Sequence, residues 1–171
     1  MPGSSSRIVC YCKSCRAFVE SLGAGRILDD AGGNDLLQTA PDAFQFTQGQ
    51  DLLTWTKVTE KGPMRWFTMC CNTPVANTLG SPAVPFLSLQ TAYFEAPERT
   101  GKIMARVNKK GATGHIEGDM GSTWRMLWEF IARALRSRLT GGYKKNPFFD
   151  AQGHRIAARV TVPSDQSETS G

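Results

Sequence analysis

Three of the chain's five cysteines stand within six residues, in the run Cys10-Tyr11-Cys12-Lys13-Ser14-Cys15. No other feature restricts the fold as much. A C-x-C-x-x-C spacing at a strand end and the following turn lets three sulfurs converge on one soft cation, at Zn–S distances of about 2.3 Å. Thiolates favour zinc, and one ion is expected. Three protein ligands leave a fourth tetrahedral position: open to water or substrate in a catalytic site, filled by a fourth residue in a structural one. The remaining thiols are Cys70 and Cys71. In extended backbone their side chains leave on opposite faces, so one at most joins the cluster, and Cys70 is taken as the fourth candidate ligand.

Compartment and charge narrow the reading. No apolar stretch approaches the ~20 residues that cross a bilayer, and the opening Met-Pro-Gly-Ser-Ser-Ser-Arg carries no apolar signal segment. The chain is therefore expected in the cytoplasm, with no membrane partner. There, clustered cysteines act as metal ligands or redox groups rather than as a disulfide framework. Cys12 and Cys15 also form a C-x-x-C pair, but the βαβ pattern of a thioredoxin-like redox protein is missing. A net charge of +5 suits anionic ligands. Without a base-reading motif, nucleic acid is not an expected partner. At 171 residues one domain is expected, spanning 7–160, with 1–6 and 163–171 as flexible tails.

Hydrophobic patterning predicts a mainly β, α+β chain with appended helices. Strands are expected at Arg7–Cys12, Asp35–Thr39, Ala43–Thr47, Leu52–Val58, Arg65–Met69, Phe86–Phe94, Lys102–Val107 and Arg155–Val162, with a tight turn over Cys70–Pro74. Phe18, Val19 and Leu22 predict a helix over Lys13–Leu22, ended by Gly23 and Gly25. The clearest helix is the C-terminal amphipathic one, Ser122–Leu139. Ser122 is its N-cap, Trp124, Leu127, Ile131 and Leu135 form an apolar stripe, and Gly141-Gly142 closes it. Its Arg125, Glu129, Arg133 and Arg136 are expected to form a solvated outer face.

Two segments carry a family resemblance. Val9-Cys10-Tyr11-Cys12-Lys13-Ser14-Cys15-Arg16 resembles the V-C-H-C-x-x-C-R segment of the glutathione-dependent formaldehyde-activating enzymes and centromere protein V, with Tyr11 replacing histidine. Arg65-Trp66-Phe67-Thr68-Met69-Cys70-Cys71-Asn72-Thr73-Pro74 is similar to that family's R-x-F-C-x-x-C-G-T-P segment. With Leu28–Gly33 and Asn146–Asp150, the pattern is similar to an uncharacterised bacterial branch of the superfamily. The resemblance implies an Mss4-like fold of two stacked antiparallel sheets, here lacking the first strand. It also implies a catalytic zinc on the first three cysteines, with glutathione binding beside it. The family's second, structural zinc site is not expected: its earlier C-x-C is absent and Thr68 takes one cysteine position.

The chemistry implied is that of a carbon–sulfur lyase joining a thiol such as glutathione to a small aldehyde. Arg16 and Arg65 are the candidates for binding the thiol's carboxylate. His115 and His154 lie far from the cluster in sequence and are not assigned as bases. Asp29-Asp30 before Gly32-Gly33 is read as a turn whose carboxylates accept backbone hydrogen bonds. The alternative is a non-catalytic, zinc-stabilised binding module, with the metal closed by Cys70.

Overall fold

The computed structural model describes residues 5–162. Seven strands are hydrogen-bonded into one sheet in the order β3-β4-β5-β6-β2-β1-β7. They are β1 (Ser5–Cys10), β2 (Asn34–Thr39), β3 (Leu53–Thr56), β4 (Met64–Thr68), β5 (Pro74–Thr78), β6 (Leu87–Gln90) and β7 (Ile103–Val107). The described residues also hold two α-helices, α1 (Lys13–Ser21) and α2 (Thr123–Leu139), and several short 3₁₀ turns, so the α+β, mainly β class holds. The expected arrangement was two stacked antiparallel sheets. Here one hydrogen-bonded order runs through all seven strands, and β1 and β7 pair in parallel.

Strand alternation builds the core. On β4, Met64 and Trp66 point to one face of the sheet, where Trp66 meets Phe148 at a centroid distance of 4.9 Å. Phe44 and Phe46 close round the same ring. Arg65 and Phe67 point to the other face, toward Phe18 of α1, as period-2 geometry requires. On α1, Cys15, Phe18 and Val19 are buried, and the helix ends as expected at Gly23, whose φ of +70° suits glycine.

Several expected elements differ. Ala43–Thr47 is no strand: Pro41 starts a 3₁₀ turn, and Phe44 and Phe46 are spent on the aromatic cluster instead of a ladder. The segment 155–162 forms no strand: its ladder contact with β3 is an isolated bridge, Trp55 with Arg159, supported by Thr54 Oγ1 and Trp55 Nε1 donating to the Ala158 and Ala157 carbonyls. Phe86–Phe94 shortens to β6, followed by a 3₁₀ turn at Thr91–Tyr93. β5 was not foreseen, because it opens on Pro74 directly after the Cys70–Thr73 turn, and proline is tolerated at the first residue of a strand. Ser5 and Ser6, assigned to a tail, pair with Thr39 and Gln38. The expected tail 163–171 lies outside the described residues.

The largest correction concerns α2. Ser122 caps it as expected, its Oγ accepting from the Arg125 amide at 3.2 Å. Of the four residues expected on a solvated face, Arg125 and Arg136 are exposed, but Glu129 and Arg133 are buried. Glu129 is 7% exposed and Arg133 8%, while Trp124 is 75% exposed and Trp128 62%. The cause is a polar socket. The Ser6 hydroxyl donates to Glu129 at 3.0 Å and accepts from Arg133 at 2.6 Å, and Ser137 donates to Asp42 at 3.4 Å.

Candidate metal centre

Cys10 is the last residue of β1, Cys12 the N-cap of α1, and Cys15 lies in its first turn. This strand-to-helix transition gathers three sulfurs, all within 4.8 Å of one another. Cys15 and Cys10 sulfurs are 3.5 Å apart. Tetrahedral ligands on bonds of about 2.3 Å stand roughly 3.8 Å apart, so the donor set fits a thiophilic cation such as zinc.

Hydrogen-bond donors surround these sulfurs. The Cys15 amide donates to Cys12 Sγ at 3.3 Å, Asn108 Nδ2 to Cys10 Sγ at 3.3 Å, and Arg65 Nη1 to Cys15 Sγ at 3.5 Å. The thiols of Cys10 and Cys15, with the Arg65 charge behind them, hold the Cys12 thiol far below its ordinary value. Sharing with Cys12 pushes Cys10 up, and sharing with Cys10 and Cys12 together with burial pushes Cys15 well up. Without metal, Cys12 is thus the thiol of the trio most easily ionised.

The cysteines open onto a cleft of about 660 Å³. Its floor is one face of the sheet: Ile8 and Cys10 on β1, Leu36 and Gln38 on β2, Ser88 on β6, Asn77 on β5 and Arg65 on β4. Thr123 and Met126 of α2 form a wall, and Arg106, Asn108 and Lys109 line the side reached from β7.

The expected site residues divide. Cys10, Cys12 and Cys15 come together, and among the described residues no fourth cysteine, histidine or carboxylate joins them. Cys70 is corrected: it sits in the exposed β4–β5 turn with its sulfur 3.3 Å from that of Cys71. The turn lies five residues along β4 from Arg65, roughly 15 Å at about 3.3 Å per residue, far outside ligand reach. The two side chains do not part to opposite faces either, because Asn72 at φ +52° curls the backbone into a turn. Hydrogen bonds from Thr68 and Thr73, with Cys70, lower the Cys71 thiol to about 7.

Arg65 does reach the site, but as a buried support. It is 2% exposed and holds Ser14 Oγ at 2.8 Å and Asn77 Oδ1 at 3.0 Å as well as Cys15. Arg16 lies off the cleft and donates to the Gly111 carbonyl at 2.8 Å. That contact pins the 109–111 loop over the cysteine turn, where a side chain in place of Gly111 would collide with the Tyr11 carbonyl. Tyr11, the residue in place of the family's histidine, is fully buried; it donates to Asp29 and accepts from Arg106, both at 2.8 Å. Asp29 also caps its own turn, accepting from the Ala31 and Gly33 amides as expected. His115 and His154 do not line the cleft. Asn108, Arg106 and Lys109 had no sequence signal beyond the end of a strand.

A model of a family of unknown function, DUF6151, matches residues 1–152. The chain belongs to that family. No curated protein and no solved structure matches this DUF6151 chain. No described helix of it is long and apolar enough to cross a membrane.

Proposed function

We propose that this DUF6151 protein binds zinc through Cys10, Cys12 and Cys15 and joins a small thiol, such as glutathione, to a small aldehyde in the adjoining cleft. The observation that carries the reading is the placement of the three sulfurs on the cleft with no fourth protein ligand beside them among the described residues. The sequence resemblance to the formaldehyde-activating enzymes and their Mss4-like fold supports the same chemistry. When bound, zinc would supply Lewis acidity and hold an incoming thiol as thiolate at neutral pH.

The chain's own residues do the rest. Asn108, Arg65 and the Cys15 amide donate to the ligand sulfurs and withdraw charge from them. Lys109 at the cleft supplies positive charge for a carboxylate of the thiol, the role expected of Arg16 and Arg65. Ile8, Leu36, Val107 and Met126 give the cleft an apolar surface that excludes water from a reactive carbonyl. The thiol releases its proton to solvent, sulfur bonds to the carbonyl carbon, and the carbonyl π pair moves to oxygen, which takes up a proton.

X-ray absorption on the zinc-loaded protein tests the reading. Three sulfurs and one lighter ligand are expected, becoming four sulfurs when glutathione is added, together with thiol-dependent consumption of formaldehyde. A shell of four protein sulfurs that never exchanges would overturn it.

A further inference from the structure

On α2, Trp124, Leu127, Trp128, Ile131, Leu135 and Leu139 are all exposed. At 100° per residue they form one continuous stripe. Among the described residues nothing is laid over Leu139, at 87% exposed, or over the two tryptophans. Isolated apolar surface residues need no explanation, but six on one helix face mark an interaction site.

The charges beside the stripe decide what covers it. α2 holds four arginines and a single acid, Glu129. That acid is buried in the socket with Ser6 and Arg133. The exposed charges are cationic: Arg136 and Arg125 stand along one border, Arg125 with its Nε 3.4 Å from Glu129, and Arg138 stands at the other edge, donating to the Ala83 carbonyl. Lys144 and Lys145 follow, also exposed. A second copy docked about a two-fold axis would set these arginine borders against each other without an acid to answer them.

We infer that α2 is a membrane-surface helix, docking the protein on anionic lipid with its Trp-rich stripe in the headgroup boundary and its arginines against the phosphates. A Trp and Leu face bordered by arginines is the composition such helices use, and no span is needed for it. The expectation that a membrane is no partner rested on the missing span and signal segment and on reading the arginines of this helix as a solvated face. The anchorage of α2 agrees with this orientation. Its polar side is locked to β1 through Ser6, and residues 120–122 run against β7, with Arg106 N to Met120 O at 3.0 Å and Ser122 N to Met104 O at 2.8 Å. The stripe is thus presented outward on a fixed base.

Vesicle co-sedimentation of the full chain tests the inference, using phosphatidylcholine vesicles with and without phosphatidylserine. Binding is expected to the anionic vesicles, with a blue shift of tryptophan emission. It should fall about tenfold or more in Trp128→Glu and in the double variant Arg125→Glu/Arg136→Glu. Far-UV circular dichroism of each variant separates lost docking from lost fold. Absence of vesicle binding by the folded wild type would overturn the inference. So would binding undiminished in the folded Trp128→Glu protein, or sedimentation velocity showing a dimer that Trp128→Glu dissociates while vesicles bind neither form.

Discussion

The two helices of this chain have the same kind of sequence and opposite fates. α1 turns Cys15, Phe18 and Val19 into the protein and leaves Glu20 outside. α2 turns Glu129, Arg133 and Ser137 inward and leaves Trp124, Trp128 and Leu135 outside. Both are amphipathic. What differs is the surface each lands on: α1 meets Phe67 and Leu22 in an apolar layer, whereas α2 meets Ser6 and Asp42. Amphipathic patterning identifies the two faces of a helix; the partner surface decides which face is buried.

Four measurements would break or sharpen that contrast. The largest effect is expected at the start of α1, where Cys12→Ala removes both a ligand and the helix cap. Zinc affinity should fall on the order of a thousandfold or more, a large part of the binding energy of a structural zinc site. Competition against a chromophoric chelator reads it, and an unchanged affinity would remove the trio as the metal site.

Next come one burial test on each helix. Phe18→Ala on α1 should cost about 3 kcal/mol or more in urea unfolding, as for other large core rings. Glu129→Ala on α2 should cost about as much, because it strands the Arg133 guanidinium in a buried site. Replacing both, as Glu129→Leu/Arg133→Met, should recover most of that loss. If Glu129→Ala proved nearly neutral, the polar face would be in water and the contrast between the helices would vanish.

Third is proton release. In the metal-free trio Cys12 is the thiolate, while Cys10 and Cys15 are pushed up and keep their protons at neutral pH. Zinc uptake near neutrality should therefore release about two protons, and affinity should rise about 100-fold per pH unit until the two thiols ionise unaided. Calorimetry in buffers of different ionisation heat counts the protons. A count of three would mean that Cys12 is not held as the thiolate.

The smallest effect is expected at Trp128→Ser. An exposed ring removed from the stripe should change unfolding free energy by no more than about 0.5 kcal/mol. A loss of several kcal/mol would show the ring buried after all.

The same contrast explains what could be read from residues alone. The thiol trio was legible because its spacing is local: a strand, a cap and one helical turn bring the three sulfurs together within six residues. The helix bounds were legible for the same reason, through Ser122 and Gly23. The turn over Cys70–Pro74 was legible, but Cys70 was still misassigned as a ligand, because how far that turn stands from the trio depends on the order of the strands in the sheet. Arg65 was chosen correctly as a cleft residue and incorrectly as a free cation, since its partners Ser14 and Asn77 come from two other elements. Asn108 and Arg106 reach the site only through the pairing of β7 beside β1, which no pattern within either strand encodes.

That parallel pairing has a consequence for how such a protein can diversify. Cys10 and Val107 are partners and also the last residues of their strands, so two chain segments leave the sheet at the same edge and in the same direction. One segment carries Cys12 and Cys15 and turns at once into α1. The other contributes Asn108 and Lys109 with its first two residues, is held down through Gly111 and Thr113, and rejoins β7 at Met120. The three sulfurs and the cleft's positive charge at Lys109 thereby come from separate stretches of chain. The stretch between Thr113 and Asp119 can lengthen, shorten or change charge while the strand, cap and helical turn that hold the three sulfurs stay as they are.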